Sequence, residues 1–139
     1  MSRLRLVQHP LLWFIAVLAW MRLVWHLSSI PGDGSPPLIP HIDKLMHFLG
    51  FAVGGMLMAG LLASITRTLM RRKARWDFII PATAILIGLF GWLDEWHQCF
   101  TPGRHGADLA DWVADFLGGI AGALLYRRVH HRLGLMLGG

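Results

Sequence analysis

Four stretches of this chain stay apolar long enough to cross a lipid bilayer, which takes roughly 20 residues of helix. They run from about 10 to 27, 42 to 65, 78 to 100 and 109 to 126. The first contains one charge, Arg22. The second has none beyond its opening turn, where Asp43 and Lys44 stand. The third is apolar until Asp94 and Glu95; the fourth opens with Asp111 and Asp115 and then becomes small and apolar. The joining segments are short, so the pattern predicts an all-α fold: a four-helix transmembrane bundle forming a single domain over 1–139. The first stretch reads as a retained span rather than a cleaved signal peptide. It is long for an h-region, holds Arg22, and no A-x-A site follows it.

Composition supports the same solvent. Hydrophobic residues make up 55% of the 139 and charged residues 15%, with a mean hydropathy of +0.51. A soluble core of this size could not cover that much apolar surface, and a chain this poor in charge is not a disordered one. Cys99 stands alone in the sequence, which excludes an intramolecular disulfide and a cysteine zinc site.

The net charge of +5 changes the picture only through its distribution. Arg3 and Arg5 precede the first span; Arg67, Arg71, Arg72, Lys73 and Arg75 lie between the second and third; Arg127, Arg128 and Arg132 follow the fourth. All fall on one side of a four-span chain, so the positive-inside rule places both termini in the cytoplasm and the 28–41 and 101–108 loops outside. A cytoplasmic (inner) membrane location accounts for the basic clusters, and no nucleic-acid partner is expected. Membrane lipids are the expected contact of these clusters.

Acids and histidines show the opposite bias. Asp33, Asp43, Asp94, Glu95, Asp108, Asp111 and Asp115 belong to the outer half, with His26, His41, His47, His97 and His105. Helical spacing groups them into stripes: Arg22 with His26, Asp43 with His47, Asp94 and Glu95 with Gln98, and Asp108 with Asp111 and Asp115. His47, Glu95 and Asp115 each lie about five or six residues inside their spans, roughly 7–9 Å below the outer helix ends. Arg22 comes from a similar level.

Ionisable groups are costly against lipid, so these are expected to point inward, pair, and mark a site. A polar cleft opening to the outer face follows, with Asp43, Lys44, Gln98, Arg104, Asp108, Asp111, Asp115 and Arg22 as its ligand-binding residues. Lys44 and the two arginines suit an anionic head group. His47 and Glu95 are the candidate acid–base pair. A carboxylate in this layer needs a neighbouring cation to stay ionised. Arg104 at the mouth is the expected functional partner, and Arg22 is expected to neutralise a buried acid. Imidazole and carboxylate from His47, Glu95 and Asp115 would suit zinc or manganese, but no compact motif such as H-E-x-x-H is present, so neither metal nor other cofactor is expected. Gly50/Gly54 and Gly118/Gly122 follow the spacing of closely packed membrane helices.

Three blocks occur in order: Asp43-Lys44-Leu45-Met46-His47-Phe48 followed by Phe51; Glu95-Trp96-His97-Gln98 with Phe100-Thr101-Pro102-Gly103-Arg104; and Asp108, Asp111, Ala114-Asp115 and Gly118. Over roughly 40–125 the chain resembles the VanZ-like family of small membrane proteins. Asp115 stands where many members carry Asn. The family is named for a protein linked to teicoplanin resistance, so the resemblance implies a membrane protein of the bacterial cell envelope. It implies no particular reaction.

Two classes of function fit. The chain binds or modifies an anionic envelope molecule in the outward cleft, with a lipid-linked precursor or a glycopeptide as the candidate partner. Alternatively it is a non-catalytic scaffold or transporter-like subunit acting through self-assembly, as a homo-oligomer, or through a partner protein.

Overall fold

A computed structural model describes residues 9–35 and 39–137, with side chains as far as residue 130. Arg3, Arg5 and the side chain of Arg132, three of the basic residues used to orient the chain, lie outside it. Four helices follow in order: α1 (Pro10–Ser28), α2 (Ile42–Thr68), α3 (Trp76–Gln98) and α4 (Leu109–Leu137). All four are long and apolar enough to cross a membrane. The fourth outlasts its expected end at 126, because no proline follows Tyr126 and the arginines there are good helix formers.

Local signals account for the boundaries. Pro10 occupies the first turn of α1, where its missing N–H costs nothing, and the His9 side chain accepts from the Leu11 N–H at 3.3 Å. The turn after α3 contains Pro102 and Gly103, the latter at φ 71°. Short connections make sequential helices antiparallel. The end of α1, the start of α2, the end of α3 and the start of α4 therefore share one end of the bundle. At the other end, Arg67, Arg71, Arg72 and Lys73 border one hollow with Trp76 and His130.

Helices α2 and α4 form the closest pair, and small residues are the cause. A methyl group added to Gly118 would strike the backbone of Phe48, and one on Gly122 that of Ala52. Gly55 meets Gly119 in the same way. The Gly50/Gly54 pair serves a different purpose. Gly54 makes room for the Trp20 indole, whose Nε1 donates to the Gly50 carbonyl at 3.0 Å. Above this seam Trp20, Phe51, Ile87 and Phe90 pack together; below it Ala59, Ala63, Ile79, Ala123 and Tyr126 do. α1 is the peripheral helix: 17% of its span is buried, against 39–44% for the others.

Candidate functional site

The polar side chains collect at the α1–α2–α3–α4 end described above, in three adjoining groups. Around Lys44, on the second residue pair of α2, stand three carboxylates. Its Nζ lies 2.8 Å from Asp43, 2.7 Å from Asp108 and 3.0 Å from Asp111. Asp43 and Asp108 are partly open to solvent, whereas Asp111 is buried. The hydrogen bond from Lys44 holds the Asp108 carboxyl below its ordinary range. Asp108 also starts α4, accepting the Ala110 N–H at 2.7 Å.

One turn deeper, His47 of α2 faces Asp115 of α4 and Glu95 of α3. Its Nδ1 is 2.9 Å from Asp115 Oδ1 and 3.9 Å from Glu95 Oε1. Asp115 is fully buried and Glu95 is 2% exposed. Gly91 allows this approach, because a Cβ there would press on the Asp115 carboxylate. Glu95 Oε2 accepts the Asp108 N–H at 2.9 Å, and the Glu95 carbonyl accepts that of Ala107 at 3.2 Å. Ala107 sits in the left-handed region at φ 59°, a strained conformation for alanine that turns both N–H groups toward α3. Gly106 lets the chain pass against Cys99 and Glu95.

The third group lies between α1 and α3. Asp94 is 1% exposed, and its Oδ2 accepts from Ser28 Oγ at 2.7 Å and from Gln98 Nε2 at 3.0 Å. Nearby, Ser29 Oγ and His97 Nε2 are 2.9 Å apart, and His97 stacks on Trp25 at 4.0 Å. These contacts fasten the end of α1 to α3. Ser28 and Asp94 were not among the expected site residues. The i, i+4 relation of Asp94 and Gln98 hinted at the carboxylate, but nothing in the local pattern distinguishes Ser28.

Two cavities, each of about 370 Å³, reach this layer from different sides. One lies between α1, α2 and α3. Ser28, His47, Asp94, Gln98 and Arg104 are at its polar side, and Val24, Leu27, Met46, Leu49 and Phe51 form its apolar side. The other lies between α3 and α4, where Glu95 and Asp108 meet Trp92, Trp96 and Trp112. His47 and Glu95 thus approach each other inside the bundle yet border different cavities. Successive helical residues diverge by about 100°, so Asp94 and Gln98 look toward α1 while Glu95 looks toward α4.

The two arginines depart from expectation. Arg22 is exposed and makes no ion pair among the described residues. Val17, Trp20 and Ser28 form the buried stripe of α1, and Arg22 lies about 200° around the helix from Trp20. It does not join the cluster and neutralises no buried acid. Arg104 does border the α1–α2–α3 cavity, but it pairs with no carboxylate among the described residues. Its Nη2 donates to the Leu27 carbonyl at 2.9 Å and its Nε to that of Ile30 at 3.0 Å. It caps the C-terminus of α1 through the Leu27 carbonyl and fastens the loop that follows through that of Ile30. Gly32 N–H bonded to Pro102 O at 3.0 Å joins the same two loops. His41, at the α2 N-cap, and His105 are exposed.

The VanZ/LLP1 family model matches residues 12–130, most of the chain and every residue of the three polar groups. No curated protein and no solved structure matches the sequence.

Proposed function

The chain belongs to the VanZ/LLP1 family of envelope membrane proteins, and from that premise we propose that it binds an anionic envelope molecule with an apolar tail, of the lipid-linked precursor kind, in the cavity between α1, α2 and α3. The observation that carries this reading is the two-sided character of that cavity. Leu27, Met46 and Leu49 are among its walls and are also about half exposed or more, so the apolar side is continuous with the surface that meets lipid. Its polar side ends on His47, Gln98 and Arg104. A tail can enter laterally from the bilayer while a head group meets the polar layer. With both termini in the cytoplasm, this layer faces outward and the molecule belongs to the outer leaflet.

The charge of the site limits how the head group is held. Lys44 is committed to three carboxylates, so Arg104 is the cation that meets an incoming anion. Two of its nitrogens hold backbone carbonyls, which fixes the plane of the guanidinium, and Nη1 has no protein hydrogen-bond partner among the described residues. Asp115 fixes the ring of His47 through Nδ1, the arrangement by which a carboxylate orients a general base. Modification of the bound molecule would begin from that imidazole.

Native mass spectrometry of the protein released from membranes in mild detergent tests the proposal. An anionic lipid or lipid-linked species should remain bound at one per chain. A Cβ at Gly50, which borders the cavity, meets nothing within 4 Å. Gly50→Phe should therefore fill the cavity and expel the molecule while leaving the helices intact. Wild-type protein free of any anionic species, or a Gly50→Phe variant that retains it, would overturn the proposal in favour of a scaffold.

A further inference from the structure

The buried layer contains more carboxyl groups than the basic side chains around it pair among the described residues. Lys44 answers Asp43, Asp108 and Asp111. Asp94, Glu95 and Asp115 remain, each 2% exposed or less, and His47 is the one basic side chain that touches any of them among the described residues. Neutral donors satisfy one oxygen of Asp94 and one of Glu95. Glu95 Oε1 and Asp115 Oδ2 are buried without any hydrogen-bond partner. Unpaired buried carboxylate oxygens cost several kcal/mol, so their persistence calls for an occupant.

The two carboxylates are grouped with His47. One donor atom from each of His47, Glu95 and Asp115 lies within 4.8 Å of the others. The separations of 2.9 Å and 3.9 Å from His47 Nδ1 to the two carboxylates bracket the spacing of about 3.3 Å between ligands of a tetrahedral ion with ~2.0–2.1 Å bonds. The three residues come from three helices, and backbone packing sets their approach: Gly91 admits Asp115, and Gly118 draws α4 onto α2 one turn away. One imidazole and two carboxylates suit zinc or manganese, and three protein ligands leave a position for water or a ligand oxygen. Asp94 and Asp111 add negative potential around the group.

We infer that His47, Glu95 and Asp115 form a binding site for one divalent cation of the zinc or manganese class. The cation takes the place between His47 Nδ1 and Asp115 Oδ1 that a proton otherwise fills, gives the unpartnered Glu95 Oε1 a partner, and balances the charge of both carboxylates. The site stands apart from lipid binding, since it requires nothing of the α1–α2–α3 cavity beyond His47; with the cation on Nδ1 the proton of the ring sits on Nε2, so the general-base role belongs to the metal-free protein. The expectation that no metal is bound rested on the lack of a compact motif. Such motifs place ligands on one helix, whereas these come from α2, α3 and α4.

The test uses full-length protein with a tag free of histidine, stripped with chelator in detergent, and titrated with Zn²⁺ and separately with Mn²⁺. Calorimetry and elemental analysis after desalting should give one ion per chain, and cobalt substitution should give the visible absorption of a low-coordinate site. Glu95→Gln and Asp115→Asn should each weaken binding at least tenfold. His41→Ala and His105→Ala, which alter exposed histidines, should leave it unchanged. Thermal stabilisation by the ion in wild-type protein, absent in Glu95→Gln, would agree. Wild-type protein that takes up neither ion overturns the site, as does uptake that survives both carboxylate changes or vanishes with His41 or His105. Lipid retention measured on the same stripped protein separates failure of this site from failure of the lipid proposal.

Discussion

Replacing Lys44 by methionine removes a charge from between three carboxylates while keeping most of the side chain's volume. The cost can be divided by exposure. Asp43 and Asp108 have side chains 42% and 37% exposed, so water screens them and each pair is worth about 0–1 kcal/mol. Asp111 is 9% exposed, and stranding a buried charge costs about 3–5 kcal/mol. Lys44 itself keeps 25% exposure, which favours the lower end of that range. The expected loss is therefore about 3–4 kcal/mol, most of it through Asp111. Reversible unfolding in mixed detergent micelles, followed by the emission of the seven tryptophans, would measure it. Adding Asp111→Asn to Lys44→Met should return the loss to about 1 kcal/mol, because the stranded charge is gone. A single variant within about 1 kcal/mol of wild type would refute the reasoning, and so would a double variant no more stable than the single.

Gly122→Ala should destabilise by about 1–3 kcal/mol through collision with the Ala52 backbone, while Gly50→Ala, with open space at its Cβ, should be neutral or gain up to about 1 kcal/mol in the same unfolding assay. Arg104→Lys can reach one of the Leu27 and Ile30 carbonyls instead of both, so amide exchange at Gly32 should quicken about fivefold, the equivalent of one hydrogen bond, while exchange within the spans is unchanged. Asp108 is held below its ordinary value of 3.8 by Lys44, so its stabilising effect is present above about pH 4 and is lost as pH falls through the folded value; unfolding midpoints between pH 3 and 6 should show a shallower acid limb in Asp108→Asn. Cys99 is exposed at the polar end, so a membrane-impermeant maleimide should label it in intact cells but should not label Arg71→Cys in a Cys99→Ser background; the opposite pattern would reverse the proposed orientation.

Long apolar runs separated by prolines, glycines and basic residues determined four helices, their order and the end of the bundle that collects the acids. These are local properties: a span needs only its own residues to satisfy its backbone, and short connections leave antiparallel neighbours as the outcome. The polar layer was legible for the same reason, since residue number along a helix is depth. What the tertiary structure decided is direction and pairing. Arg22 lies at the depth of the cluster yet points away from it, because the bundle turns the Val17–Trp20–Ser28 stripe of α1 inward. Arg104 spends its fork on the Leu27 and Ile30 carbonyls at the end of α1 and just beyond it instead of on Glu95, because two loops distant in sequence meet at Gly32 and Pro102. Ser28 joins Asp94 across α1 and α3, a pairing for which Asp94 had a helical stripe to mark it and Ser28 had no local sign. His47, Glu95 and Asp115 become one group only when Gly91 and Gly118 let three helices close to backbone contact. Depth follows from one helix at a time; which faces meet follows from how all four pack, and that is set by contacts between residues far apart in the chain.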